Sequence, residues 1–219
     1  LILNSPSNPT GSVYSYSELS ALAEVLIRYP HVMIITDDIY EHLIYDDMVF
    51  HTLAQVEPDL KNRILTCNGM SKAYCMTGWR IGYGGGPEWL IRSMAKLQSQ
   101  SNFHPASISQ HAAIAGLDGD LSFLQSQLRA YRHRRDRLVQ ELNRINGLVC
   151  PIPDGAFYVF PSCKGLYGRL TPDGILLQSD TDVVAYFLDA AGVALVPGEA
   201  FGAPGYFRVS YATDIEIIS

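Results

Sequence analysis

The chain has 219 residues, 47% of them hydrophobic and 17% charged, with a formal net charge of −6 and a pI near 5.4. This balance describes a core-forming globular protein and excludes a disordered one; its acidity argues against a general nucleic-acid binder. No apolar stretch reaches the length of a membrane span, and the length permits one large domain or two small ones.

In chain order, the first feature is Asn8-Pro9-Thr10-Gly11, a turn whose Asn8–Pro9 bond is expected to be cis, a geometry that aims a side chain. Ser15 with Glu18 is a capping-box signature for a helix running to about Tyr29. Val32-Met33-Ile34-Ile35-Thr36 is a short run rich in branched apolar residues, which reads as a strand of a parallel sheet buried on both faces. Asp37 follows at its carboxyl end, where open α/β sheets bind ligands. Tyr40 comes three residues later, on the same side if the chain turns helically. The competing reading is that Asp37 and Asp38 cap a helix.

A second strand, Arg63 to Cys67, leads into Asn68-Gly69-Met70-Ser71-Lys72, and a third, Trp79 to Tyr83, follows with Arg80 at its opening. A lysine amine condenses with a carbonyl compound only in its neutral form, which burial or nearby positive charge favours. The plainer reading of Lys72 is an exposed loop lysine. A guanidinium at Arg80 suits a phosphate, which it can bind through two parallel hydrogen bonds.

Pro87 opens a helix through Gln100, and the polar segment Gln98 to Pro105 reads either as a dimer-interface loop or as an ordinary one. The longest helix predicted runs from Leu121 to Asn146, with Leu121, Leu124, Leu128, Tyr131, Leu138, Leu142 and Ile145 on one stripe and Gly147 as the stop. Arg129, Arg132, Arg134, Arg135 and Arg137 read as its solvated face. Beyond it come a strand at Phe157 to Phe160, a helix at Asp182 to Ala191, and strands at Val193 to Val196 and Tyr206 to Tyr211. Arg208 in the last strand is either snorkelling or paired, as strand arginines usually are, or it clamps a substrate carboxylate. Gly82 and Gly84 to Gly86 match neither glycine-rich phosphate motif. His104 and His111 lack metal-site spacing, and no metal is expected. Cys67, Cys75, Cys150 and Cys163 contain no C-x-x-C pair and read as free thiols of a cytoplasmic protein.

Four separated motifs, Asn8-Pro9-Thr10-Gly11, Asp37-Asp38-Ile39-Tyr40, Ser71-Lys72 with Gly78-Trp79-Arg80-Ile81-Gly82, and Phe207-Arg208-Val209-Ser210, together resemble the class I aminotransferases of the pyridoxal-phosphate fold type I superfamily, most like the bacterial aspartate aminotransferase subgroup. The resemblance covers essentially the whole chain. It implies an α/β fold: residues 1–120 as part of a large cofactor-binding domain with a mostly parallel sheet, residues 121–146 as a bridging helix, and residues 147–219 as a small α+β domain. Relatives of this kind are longer, so the sequence reads as a carboxy-terminal piece that starts inside a strand at Leu1 and stops before a terminal helix expected beyond the Arg208 strand.

The resemblance also assigns roles. Lys72 would condense with the aldehyde of pyridoxal 5′-phosphate and later shuttle the proton between the substrate α-carbon and the cofactor. Asp37 would pair with the pyridine nitrogen, keeping it protonated so that the ring can act as an electron sink. Tyr40 and Asn8 would hydrogen-bond the phenolic oxygen, Ser71 and Arg80 would hold the phosphate, and Arg208 with Asn8 would bind the α-carboxylate of the amino acid and the 2-oxo acid. Many relatives carry a serine three residues before the lysine, where Gly69 stands here; Ser71 is the expected substitute. The implied activity is transamination between aspartate, or a similar dicarboxylic or aromatic amino acid, and 2-oxoglutarate, in a cytoplasmic homodimer that binds neither nucleic acid nor membrane. The alternatives are a transaminase of other specificity, including a prephenate type, a fold-related lyase, and, from another class, a non-catalytic effector-binding domain or an inactive fragment.

Overall fold

In the computed structural model, which describes residues 1–218, the chain forms two units, Leu1–Pro6 with Val13–Ser126 and Ser7–Ser12 with Gln127–Ser219. The first contains β1 (Ile2–Asn4), α1 (Tyr16–Ile27), β2 (Ile34–Asp37), α2 (Leu53–Val56), β3 (Ile64–Gly69), β4 (Gly82–Gly85), α3 (Glu88–Ser101), α4 (Ser107–Asp118) and the start of α5 (Phe123–Arg144). Its sheet runs β1-β2-β3-β4, with β1, β2 and β3 parallel and β4 antiparallel to β3.

Helix α1 begins where the sequence predicts. Ser15 Oγ accepts from the Glu18 amide at 3.3 Å, and Glu18 Oε2 accepts from the Ser15 amide at 2.8 Å, closing the capping box. Leu19, Ala23 and Leu26 fall on one helical face and pack with Ile34, Leu53, Leu60 and Ile64. The other end of α1 is closed by Arg63, expected in a strand but found in the 3-10 turn Pro58–Arg63. Its guanidinium donates to the carbonyls of Leu26 at 2.6 Å, Tyr29 at 2.9 Å and Val32 at 3.0 Å, tying the last turn of α1 to the two turns that follow it.

Two further strand expectations need correction. β2 is parallel to both neighbours, but only Ile34 and Thr36 are buried; Met33 and Ile35 are 42% and 37% exposed. The core of α1 and α2 covers one face of the sheet, and alternate side chains point away from it. The strand after the lysine turn begins at Gly82 rather than Trp79, because Thr77–Trp79 is a 3-10 turn and Arg80 adopts a left-handed conformation at φ 52°. This reverses the chain into an antiparallel partner for β3. Gln98 to Ser101 complete the last turn of α3, so the loop expected over Gln98 to Pro105 is confined to residues 102–106.

The second unit contains β5 (Tyr158–Val159), α6 (Asp180–Ala191), β6 (Val196–Pro197), β7 (Phe207–Ser210) and α7 (Ile215–Ile218). Its sheet is antiparallel, in the order β5-β7-β6. Helix α6 opens two residues before the predicted start, because a second capping box, Ser179 with Asp182, fixes its first turn. A short α7 follows β7, and Ser219, at the end of the segment read as stopping early, lies outside the described residues.

Along α5 the expected stripe is displaced by packing. Leu124, Tyr131 and Leu142 are buried and Val139 joins them, whereas Ile145 is 41% exposed. Arg129, Arg132 and Arg137 are exposed, but Arg135 is only 3% exposed and does not belong to a solvated face. It donates to the Pro153 carbonyl at 3.1 Å and pairs with Asp136 at 2.8 Å, so its charge and donors are matched indoors. All four cysteines are free; burial pushes the Cys150 thiol up to about 12 and the Cys163 thiol up to about 11. Arg135→Ala would orphan the Pro153 carbonyl and leave a void; urea unfolding should show a loss of about 2 kcal/mol, against no comparable loss for Arg132→Ala.

Candidate active site

The first unit gathers five of the seven residues singled out in the sequence. Pairing β1, β2 and β3 in register sets Asn4 opposite Asp37 and Asp37 opposite Cys67, so the acid stands at the carboxyl edge of the parallel strands. Asn4 Nδ2 donates to the Asp37 carbonyl at 3.1 Å. The chain does not turn into a helix directly after β2. Successive turns close through Glu41 N to Asp38 O and Leu43 N to Tyr40 O, both at 2.8 Å, and Asp37 Oδ1 accepts from Ile39 N at 3.3 Å. Tyr40 is thereby buried, at 3% exposure.

The lysine turn leaves the next strand at the same edge. Met70 and Ala73 are buried, at 0% and 2% exposure, and the turn closes through Cys75 N to Lys72 O at 3.1 Å and Met76 N to Met70 O at 3.2 Å. Ser71 and Lys72 are held half-buried between these anchors. The Lys72 amine lies over the Tyr40 ring, 5.7 Å from its centroid. Gly69, at the position where many relatives carry a serine, is paired with Gly82; a Cβ there would meet the Ile81 carbonyl at 3.1 Å and Gly82 Cα at 3.2 Å. Tight strand pairing therefore favours glycine at that position. Arg80 is exposed, and its Nη1 donates to the Thr77 carbonyl at 2.8 Å.

Sequence reasoning treated Asp38 only as a possible cap. It lies on the buried face, 5% exposed, and burial pushes its carboxyl up to about 6, with Glu41 and Asp37 adding to the rise. The hydroxyls of Thr52 and Thr36 act in the opposite sense, although Thr52 Oγ1 makes no well-formed hydrogen bond among the described residues. Two successive acids at a strand end must face opposite ways, and that was the available signal. Burial, then Asp37 and Asp38, also raise the Cys67 thiol. Tyr74 and Tyr83 are raised by burial and then by Glu41, which accepts from Asn68 Nδ2 at 2.7 Å.

The second unit holds the other two residues. Gly11, at φ +70°, has its carbonyl bonded by the amides of Asp154 at 3.1 Å and Gly155 at 2.8 Å. A Cβ at Gly11 would come within 2.4 Å of Pro153 Cβ, so only glycine allows this approach. The loop also closes on itself through Gly11 N to Ser7 O at 2.8 Å, and Asn8–Pro9 is cis as expected, as is Ser5–Pro6. Asn8 Oδ1 accepts from Arg208 Nη1 at 2.8 Å, joining residues 200 positions apart. Arg208 is half-buried, with Cζ 4.7 Å from the Tyr158 centroid and 5.2 Å from that of Phe201. It is thus paired, as strand arginines usually are, and not snorkelling.

Asp38 makes stability depend on pH. Its folded value lies above the ordinary 3.8, so the folded state binds the proton more tightly. The contribution is complete below about pH 4 and is lost as pH rises through 6. Unfolding midpoints of the wild type should fall between pH 4 and pH 6, with a full cost of roughly 3 kcal/mol, and Asp38→Asn should flatten that slope.

The family model described as aminotransferase class I and II matches residues 1–217. The chain is 54% identical over 213 residues to an aspartate aminotransferase of Rhizobium meliloti (strain 1021), covering 97% of this chain and 52% of that protein. It is 52% identical over 217 residues to an aspartate/prephenate aminotransferase of Cereibacter sphaeroides, covering 99% and 54%. A crystal structure of the Rhizobium meliloti aspartate aminotransferase superposes with a TM-score of 0.95 at 52% identity, over 99% of this chain and 56% of that one. The chain spans about half the length of the relatives it matches. With an α/β unit that carries lysine, acid and phenol at one sheet edge and a match over residues 1–217, the chain belongs to the class I and II aminotransferases.

Proposed function

We propose that the protein containing this chain transfers an amino group between an aspartate-like amino acid and a 2-oxo acid such as 2-oxoglutarate, using pyridoxal 5′-phosphate held on Lys72. The observation that carries this reading is the Lys72 amine over the Tyr40 ring, in the same unit as the strand-end carboxylate of Asp37. The donor set suits the cofactor group by group: an amine for its aldehyde, a carboxylate for its ring nitrogen, a phenol for its ring oxygen, and the Arg80 guanidinium with the Ser71 hydroxyl for its phosphate. When bound, the cofactor supplies a ring that accepts the electron pair released at the substrate α-carbon.

In this reading Lys72 Nζ, freed once the substrate amine replaces it on the aldehyde carbon, would take the proton from the substrate α-carbon and hand it on, a general acid–base task. The Asp37 carboxylate keeps the ring nitrogen protonated, and the Tyr40 hydroxyl donates to the ring oxygen. Arg208, steadied by Asn8, binds the α-carboxylate common to both substrates. A second reading, with prephenate as the oxo acid, is favoured by the relative named aspartate/prephenate aminotransferase; screening oxo acids against one donor separates the two.

The same reading makes the working form a cytoplasmic homodimer. Among the described residues no helix is long and apolar enough to cross a membrane, and Leu97, Phe103 and Ile108, at 73%, 72% and 69% exposure, provide apolar surface suited to a partner.

The test uses the full-length protein. After incubation with pyridoxal phosphate and borohydride reduction, peptide mass spectrometry should find a pyridoxyl group on Lys72 that Lys72→Ala lacks. Arg208→Lys should raise KM for both amino acid and oxo acid roughly ten- to hundredfold, the worth of a lost hydrogen bond to a charged group. Label spread over other lysines, or wild-type turnover by Lys72→Ala, would sink the reading.

A further inference from the structure

We propose that Tyr158 and Phe201 are positioning residues that hold the Arg208 guanidinium ready for a substrate carboxylate. The inference rests on the reading of Arg208 as the carboxylate site. β7 is the central strand of its sheet, and each side supplies one ring. Tyr158 comes from β5, and Phe201 ends the 3-10 turn Gly198–Phe201 that follows β6. Both lie within cation–π distance of Arg208 Cζ, at 4.7 Å and 5.2 Å.

The rings are themselves supported. Tyr158 leans on Phe157 at 4.7 Å, and Phe157 stacks on Tyr131 at 5.7 Å. Phe201 meets Phe160 edge-on at 6.0 Å, and Phe160 stacks on Tyr206 at 5.3 Å. An arginine side chain carries considerable rotamer entropy, and its planar fork rewards being fixed before the ligand arrives. With Nη1 engaged by Asn8 and two rings flanking the guanidinium, a planar carboxylate meets a donor edge that does not have to be ordered on binding. Neither ring is assigned to the reacting atoms, so their loss should weaken binding rather than slow the chemical step.

The experiment compares wild type, Phe201→Leu, Phe201→Tyr and Arg208→Lys in the full-length, cofactor-loaded protein. Calorimetry gives the affinity for succinate, a carboxylate with no amino or oxo group to exchange, and steady-state kinetics give KM and kcat. Phe201→Leu should weaken succinate binding and raise KM for both substrates by about tenfold while kcat stays near the wild-type value, and Phe201→Tyr should restore both. Phe201→Met, a second variant without a ring, serves if the leucine variant folds poorly. Unchanged succinate affinity in Phe201→Leu beside weakened binding in Arg208→Lys would overturn the positioning role and leave the carboxylate reading standing. A fall in kcat and melting temperature without a change in KM would also overturn it. Unchanged affinity in Arg208→Lys would overturn both readings.

Discussion

Parallel pairing in register is the constraint on which the first unit depends. Because β1, β2 and β3 run the same way in register, the chain leaves β2 and β3 at one edge, and Asp37, Tyr40 and Lys72 follow from those two exits. Strand periodicity then decides which of two adjacent acids does which work. Asp38 shares the buried face of Ile34 and Thr36, whereas Asp37 is only half-buried; a slip of one residue would exchange them. The same edge favours the glycine at Gly69, where the reversal into β4 brings two backbones close enough to crowd a side chain.

In the second unit a small residue and a large one solve related problems. Gly11 lets the backbone of residues 7–12 lie against Pro153 and Gly155, and this places Asn8 beside an arginine 200 positions away. Arg208 is then flanked by rings from both sides of its strand. Arg134 lies over the Tyr131 ring and Lys164 over that of Tyr206, so cations meet aromatic faces repeatedly in this unit. Arg135 shows the other way to keep a cation indoors, through a carbonyl and an adjacent carboxylate.

The residues given roles in the proposed reaction are divided between the two units. Lys72, Asp37, Tyr40, Ser71 and Arg80 lie in the unit built on the mostly parallel sheet, and Asn8 and Arg208 lie in the one with the antiparallel sheet. The order of the motifs in the sequence alternates between these units, since residues 7–12 belong with the second although they precede most of the first.

The order of the motifs, the capping box of α1, the extent of α5 to within two residues at each end and the amine-acid-phenol-arginine inventory were all legible in the sequence, because caps, periodicity and residue type are local properties. The burial of Arg135 and Asp38, the exposure of Ile35, the left-handed Arg80 outside its expected strand and the rings beside Arg208 were decided by the tertiary structure alone. Each depends on what a residue meets across a sheet or from a distant segment. A sequence records which face of an element a side chain takes, but packing determines whether anything covers that face, and with it whether a charge is solvated, paired or held ready for a ligand.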